Sequence, residues 1–334
     1  MTVEPLLSPV LSVIIPSYNT ASTIERAIGS VRVAAGDLPV EVVIVDDGSS
    51  DESMAVLEKC ALAWPAVRVL THPGHVNRGI AGTRNFGIAE AKGRFLAFLD
   101  ADDEMLPNRF EVSVPMLNGD AGIDAIVEPY ELVHAGGSRS DAMKAGPVFI
   151  PISMADPLEA FRMAMQSGRL PHTTSITVRK TALEDAGGFP EYLRFNLEKP
   201  LWLKLFAGGR VANGSDRPVA RYYLHDSSTC AKNEHKAAFR LEDILAYTDV
   251  YAWMKSAKVD EAARNMVRSK IRGKYLHYCS YVNALEHRIW RDRFWPSFHV
   301  AAAMPDLMMD ASYWKASLRM MLGLSNVTAE GARL

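Results

Sequence analysis

Residues 93–103 read GRFLAFLDADD: five apolar residues, Phe95–Leu99, run straight into Asp100, Asp102 and Asp103. An unbroken apolar run of this length fits a strand buried on both faces, the habit of a parallel sheet flanked by helices. Outward from it, Leu11–Ile15 (LSVII) ends at Pro16, and Val40–Val45 (VEVVIV) ends in Asp46-Asp47-Gly48. Val67–Leu70 (VRVL) is a further short strand. Helical signals separate these runs. Ile24, Ala27, Ile28 and Val31 share one face at helical spacing. Ser22 with Glu25 fits a capping box, Asp51 can cap a helix reaching about Leu62, and Gly79–Ala91 is a weaker helix. Strands alternating with helices predict an α/β fold with a mostly parallel sheet and right-handed crossovers. Ligands of such sheets bind beyond the C-terminal strand ends, which here carry Pro16–Asn19, Asp46-Asp47 and Asp100–Asp103.

The whole chain has 334 residues, 48% hydrophobic and 23% charged, enough to bury a large core in roughly two domains. A net charge of −2 gives no electrostatic reason to expect a nucleic-acid partner. Cys60, Cys230 and Cys279 are far apart and odd in number, which argues against a disulfide framework or CxxC metal site and fits a cytoplasmic location. No apolar run approaches the ~18 residues of a membrane span. The opening MTVEPLLSPV has no Lys or Arg, so no secretory leader is expected. Residues 233–334 hold only three Gly and two Pro, and carry 15 Lys and Arg against 11 Asp and Glu. The expected organisation is therefore an acidic α/β domain over 1–232, then a basic helical region over 233–334.

Carboxylates gathered at one sheet edge repel one another unless a cation or donor groups face them. Oxygen ligands suit Mn2+ or Mg2+, and such ions commonly take one or two carboxylates together with substrate phosphates. Asp100-x-Asp102 therefore suggests a metal that arrives with a diphosphate. The competing reading is plain turn and cap chemistry, which Asp also favours; the coincidence of acidic clusters at neighbouring strand ends favours the site. Neither GxGxxG nor GxxxxGK[ST] occurs, so the dinucleotide and P-loop cradles are absent. His72-Pro-Gly-His75 reads as a solvated loop, not a zinc site.

Several blocks in register resemble the family 2 glycosyltransferases of the GT-A fold. They are Val13–Asn19 (VIIPSYN), Val45–Asp51 (VDDGSSD), Asn77-Arg78-Gly79 through Arg84-Asn85-Phe86-Gly87, and Gly93–Asp103. Gly187-Gly188-Phe189, Leu201–Leu205 (LWLKL) and Tyr222–Ser228 (YYLHDSS) resemble later landmarks, so the likeness covers about residues 10–230 and implies a donor half at about 10–105 and an acceptor half at about 106–232. The resemblance implies that Asp47 reads the base, with Pro16 and Tyr18 lining the same pocket. It implies that Arg84 contacts the nucleotide side, that Asp100 lies near ribose and metal, that Asp102 holds the metal, and that His225 approaches metal or diphosphate. The family's general base lies just before the LWLRL helix. The family usually has an acidic pair there, its second member the base; here the stretch is Asn196-Leu197-Glu198-Lys199-Pro200, with Glu198 at the base position as Glu instead of Asp, Leu197 before it, and Lys199 and Pro200 in place of residues that are often aromatic and acidic. Tyr223 stands where the family usually has Arg.

The expected function is inverting, metal-dependent transfer from a nucleotide-sugar, a UDP-sugar first, to a glycan or lipid-linked glycan in surface polysaccharide synthesis of the bacterial type. A nucleotidyltransferase would also place nucleotide and metal on an α/β sheet, but PSYNTAS lacks its Gly-rich basic phosphate loop. A catalytically inactive sugar-nucleotide or glycan-binding protein has only the altered acidic pair in its favour. Residues 262–293 carry eight Lys and Arg against Glu286 and Asp292, with Tyr275, Tyr278, Tyr281 and Trp290 interleaved and Phe294 and Trp295 following. This pattern suggests peripheral contact with the cytoplasmic face of the inner membrane, or equally a helical subdomain with solvated arginines.

Overall fold

The computed structural model describes residues 8–134, 158–224 and 236–284. The chain forms two compact units. One runs to Tyr192 and resumes at Leu201; the other takes Leu193–Pro200 and the chain from Thr229 onward.

The first unit opens with the alternation the apolar runs predict: β1 (Leu11–Ser17), α1 (Ile24–Ala35), β2 (Val40–Asp46), α2 (Ser53–Ala63), β3 (Val67–Thr71), α3 (Gly79–Glu90) and β4 (Phe95–Phe98). It continues through β5 (Glu104–Met105), α4 (Ser113–Gly119), β6 (Ala125–Val127), β7 (Glu131–His134), α5 (Glu159–Ser167), β8 (Ile176–Arg179) and α6 (Lys180–Asp185). Then come α7 (Glu198–Gly208), β9 (Val211–Asn213) and β10 (Ala220–Leu224). Among the described residues seven strands form one sheet in the order β3-β2-β1-β4-β8-β6-β9, and β5-β10-β7 form a second. β3, β2, β1 and β4 are mutually parallel, whereas β8 runs antiparallel to both β4 and β6.

The period-2 alternation of the strands sends Val13, Ile15, Val42, Ile44, Phe95 and Ala97 to one face, against Ile24, Ile28 and Val31 of α1 and Leu57 of α2. Each such large side chain contributes about 1.5–3 kcal/mol by leaving water. On the other face α3 comes so close that a Cβ on Gly87 would lie 2.7 Å from the Ile14 side chain. Phe98, Phe189 and Trp202 stack edge to face there, with centroids 5.5–6.3 Å apart.

β1 extends through Pro16, beyond the end expected at Ile15. In a parallel ladder alternate residues face alternate neighbours. Pro16 faces the β4 side, whose pairing has ended at Ile14–Phe98, so its missing N–H costs no bond. The capping box does not form. Backbone bonds from Thr23 and Ile24 to the Thr20 carbonyl open α1, and Glu25 pairs instead with Lys59 at 3.0 Å. Asp51 does accept the Ser53 amide at the start of α2, at 3.0 Å.

In the second unit α8 (Lys236–Ser256) and α9 (Glu261–Ala284) form a helical hairpin across a four-residue connection. Ile244, Tyr247, Val250 and Met254 of α8 are buried, as are Val267, Ile271, Tyr275 and Tyr278 of α9. Tyr275 and Tyr278 thus continue the apolar stripe of Val267 and Ile271. Tyr281, Trp290, Phe294 and Trp295 lie outside the residues whose side chains are described. No described helix is long and apolar enough to cross a membrane.

Candidate active site

The C-terminal ends of β1, β2 and β4 share one edge of the large sheet. At β2, Asp46 is wholly buried and accepts the amides of Gly48 and Ser49 at 3.1 and 3.0 Å, so it shapes the turn. Asp47 accepts the amides of Arg78 and Gly79 at 2.6 and 2.9 Å, and its own carbonyl accepts from the Asn77 amide group at 2.9 Å. The Asn77-Arg78-Gly79 block therefore delivers the N-terminus of α3 to the Asp47 carboxylate, where the helix dipole favours a negative charge. His72 is buried, not solvated as its Pro/Gly setting suggests: it lies against Phe86, with Nε2 3.2 Å from Thr83 Oγ1 and 3.5 Å from Asp47.

The loop after β1 is knitted to the loop after β2. Asn19 has a left-handed backbone (φ 53), donates its amide to Ser49 Oγ and accepts the Ser50 amide at 2.8 Å. Thr20 donates to Ser53 Oγ at 2.8 Å. This leaves Tyr18 at the edge with 51% of its surface exposed, so it is no core residue, while Pro16 is half-buried.

β4 supplies the densest group. Arg84, wholly buried on α3 with the Phe189 ring 5.1 Å from its guanidinium, donates to Asp100 at 2.5 Å. The chain then turns tightly, with the Asp103 amide bonding the Asp100 carbonyl at 3.0 Å. That turn breaks the strand's alternation: residues three apart, not two apart, now face the same side. One ligand atom from each of Asp100, Asp103 and His172 lie within 4.8 Å of one another. Asp102 stands outside this group, and its carbonyl accepts from Arg26 at 2.6 Å. His225 lies outside the described residues.

Burial alone would raise the Asp100 pKa, but the Arg84 guanidinium and His172 beside it hold its carboxyl below the ordinary carboxylate range. Asp103 has no such guanidinium. Burial first, then the neighbouring Asp100 charge, push it up to about 9, although the Tyr223 amide donates to it at 2.9 Å and works the other way. The end of β4 thus gathers two carboxyl groups and an imidazole whose ligand atoms converge, with the ionised form of Asp103 opposed by burial and by Asp100. Oxygen ligands with one imidazole suit a divalent cation of the Mn2+ or Mg2+ kind.

His172 is fixed from several sides. Its ring lies 4.3 Å from that of Tyr222 and 5.2 Å from that of Tyr130, and Nδ1 bonds the Thr174 hydroxyl. Beneath it, fully buried Arg109 donates to the carbonyls of Thr174 and Ile176 at 3.0 and 2.8 Å and pairs with buried Glu128 at 3.1 Å. At the departure Tyr223, Arg26 stacks 4.5 Å over the ring and the phenol donates to Glu104 at 3.0 Å.

The asparagine after Arg84 holds a second loop. Asn85 donates to the Phe189 carbonyl at 2.8 Å and to Glu191 at 3.0 Å, and accepts the Phe189 amide at 2.9 Å. Gly188 makes this possible: its φ is +70°, and a Cβ there would lie 2.9 Å from Asn85 Oδ1. Glu198 is the first residue of α7 and belongs to the second unit. Lys199, beside it, pairs with Asp243.

Comparison with known proteins agrees with this architecture. The family model described as glycosyl transferase family 2 matches residues 12–154. The succinoglycan biosynthesis protein ExoO of Rhizobium meliloti is 37% identical over 273 residues, covering 79% of this chain and 74% of that protein. The uncharacterized glycosyltransferase YibD of Escherichia coli is 26% identical over 65% of this chain, which spans 62% of YibD's length. Among solved structures, S. aureus TarS 1–349 in complex with UDP-GlcNAc superposes with a TM-score of 0.67 at 17% identity, covering 94% of this chain and 88% of that one. The parallel sheet with its acidic edge is a GT-A fold, and the chain belongs to the family 2 glycosyltransferases.

Proposed function

We propose that the chain is an inverting, metal-dependent glycosyltransferase that moves sugar from a UDP-sugar to a growing surface glycan or its lipid-linked precursor. The observation that carries this reading is the convergence of Asp100, Asp103 and His172 at the end of β4, with Arg84 behind them, in a family 2 chain. The UDP-GlcNAc complex of TarS and the polysaccharide role in ExoO's name support the donor and acceptor classes.

Asp100, Asp103 and His172 would hold Mn2+ or Mg2+; Asp102 and His225 are the positions to which the family resemblance carries metal contact. When bound, the cation offsets charge on the leaving diphosphate. Tyr18, Pro16 and Asp47 form the base-binding edge, and Arg84 keeps Asp100 ionised and oriented. Glu198 accepts the proton of the acceptor hydroxyl as that oxygen bonds to the anomeric carbon and the sugar–phosphate bond breaks. One displacement inverts the anomeric configuration. The basic residues of 262–293 support a further reading, peripheral attachment to anionic lipid on the cytoplasmic face. Liposome flotation should show salt-sensitive binding, and its absence contradicts the attachment.

The test is a panel of UDP-, GDP- and dTDP-sugars with Mn2+ or with EDTA. UDP-sugar turnover abolished by EDTA is expected, and turnover undiminished in EDTA overturns the metal. Glu198→Gln should still bind UDP yet lose about 10²–10⁴-fold in transfer. Near wild-type transfer moves the base elsewhere, with Glu191 and Asp185 next.

A further inference from the structure

The short segment Leu193–Pro200 belongs to the helical unit although the chain leaves it again before α8 begins. Its bonds explain why. One oxygen of Glu242 on α8 accepts three successive backbone N–H groups, from Arg194, Phe195 and Asn196, at 3.0, 2.6 and 3.4 Å. Successive amides turned toward one carboxylate form an anion-binding nest, and α8 fills it. The Asn196 side chain donates to the Phe239 carbonyl at 3.1 Å. Lys199 pairs with the buried Asp243, whose other oxygen takes Lys274 of α9 at 2.5 Å. Both ammonium groups flank the Tyr247 ring, at 5.4 and 5.8 Å. The side chains of Asn196 and Lys199, on either side of Leu197-Glu198, thus both bind α8.

We infer that Glu242 is a positioning residue for sugar transfer: by clamping the amides of 194–196 it fixes the backbone that carries Glu198 two residues later. Asp243, through Lys199, clamps the other side of Glu198. The hairpin is in this sense a working part of the transferase and not only a place of attachment. The inference rests on Glu198 as the base. A merely structural staple would hold the fold without mattering to transfer.

The test uses the full chain with Glu242→Gln, Glu198→Gln and the double variant. Hydrogen exchange is measured, and donor hydrolysis, in which water takes the place of the acceptor hydroxyl and free sugar and UDP are released, is followed with Mn2+ and UDP-glucose, UDP-galactose and UDP-N-acetylglucosamine in turn. In Glu242→Gln the amides of 194–196 should exchange about tenfold faster or more. The kcat for UDP release should fall about 10- to 100-fold with donor KM within about twofold. The double variant should lose no more than Glu198→Gln alone, since both act on one step. Unchanged exchange, wild-type kcat in Glu242→Gln, or losses that multiply in the double variant each overturn the inference. Wild-type turnover in Glu198→Gln refutes the base, whereas wild-type turnover in Glu242→Gln beside an impaired Glu198→Gln refutes the positioning role alone. Should Glu242→Gln fail to fold, half-buried Lys199→Gln replaces it, with a smaller loss of the same pattern expected and wild-type kcat overturning the inference.

Discussion

At the N-terminal end of the parallel sheet Glu41 is buried with each oxygen answered. Ser12 donates to it at 2.6 Å, Arg68 at 2.7 Å, and the Lys92 amide closes the group. At the C-terminal end of the same strands Asp100 and Asp103 face each other with His172, and only Asp100 has a guanidinium. Burial works against the charge at both ends. At Glu41 the hydrogen bonds and Arg68 outweigh it and hold the pKa below 4.5, while at Asp103 the adjacent Asp100 adds to it. A carboxylate given its full complement of donors stabilises the fold; one crowded against another is, in the proposed reading, where a cation would sit. A buried carboxyl group at one end of the sheet is thus fully answered by donors, and one beyond the other end is not.

The largest expected effect breaks the C-terminal end. Asp103→Asn should lower metal-dependent turnover by about 10²–10³-fold without lowering the thermal midpoint, because a neutral amide of the same shape replaces a carboxyl whose charged form burial and Asp100 already oppose. A midpoint that falls sharply together with activity would make Asp103 a structural residue. Asp102→Ala, made in parallel, should lose less than Asp103→Asn. The reverse order would return the metal to Asp102.

Glu41→Gln should do the opposite: cost about 1–3 kcal/mol of stability and leave turnover per folded molecule unchanged. The pH dependence has a definite sign. The folded-state pKa of Glu41 lies below its unfolded value of 4.5, so its contribution is fully present above that value and disappears as pH falls through the folded pKa. Wild type and Glu41→Gln should differ at neutral pH and converge in acid denaturation curves. A gap that persists at low pH contradicts the account.

The smallest effect sharpens the contrast at the rim. Tyr18→Ala, at an exposed position, should change stability by no more than about 0.5 kcal/mol yet weaken UDP binding in calorimetric titration. Unaltered UDP affinity removes Tyr18 from the base-binding edge.

The acidic edge of the sheet was legible because its determinants are local. Phe95–Leu99 and Val40–Val45 announce buried strands, and Asp47 and Asp100 follow as the chain leaves the sheet. What escaped depends on turns and distant partners. Asp103 joins Asp100 only because the chain reverses after β4, which an alternating strand pattern does not convey. His172 arrives beside them from about 70 residues away through the antiparallel strand β8, and in sequence it is one histidine in PHTTS. Lys199 looks like a departure until Asp243 is seen beside it. Ser22–Glu25 has capping-box spacing, yet Lys59 on the neighbouring helix takes Glu25.

Calorimetric titration of Mn2+ into the protein with and without UDP tests the central claim most directly. The account predicts binding that UDP strengthens in the wild type and that weakens about 10-fold or more in both Asp103→Asn and His172→Ala. Mn2+ binding of equal affinity in the wild type and both variants would contradict it.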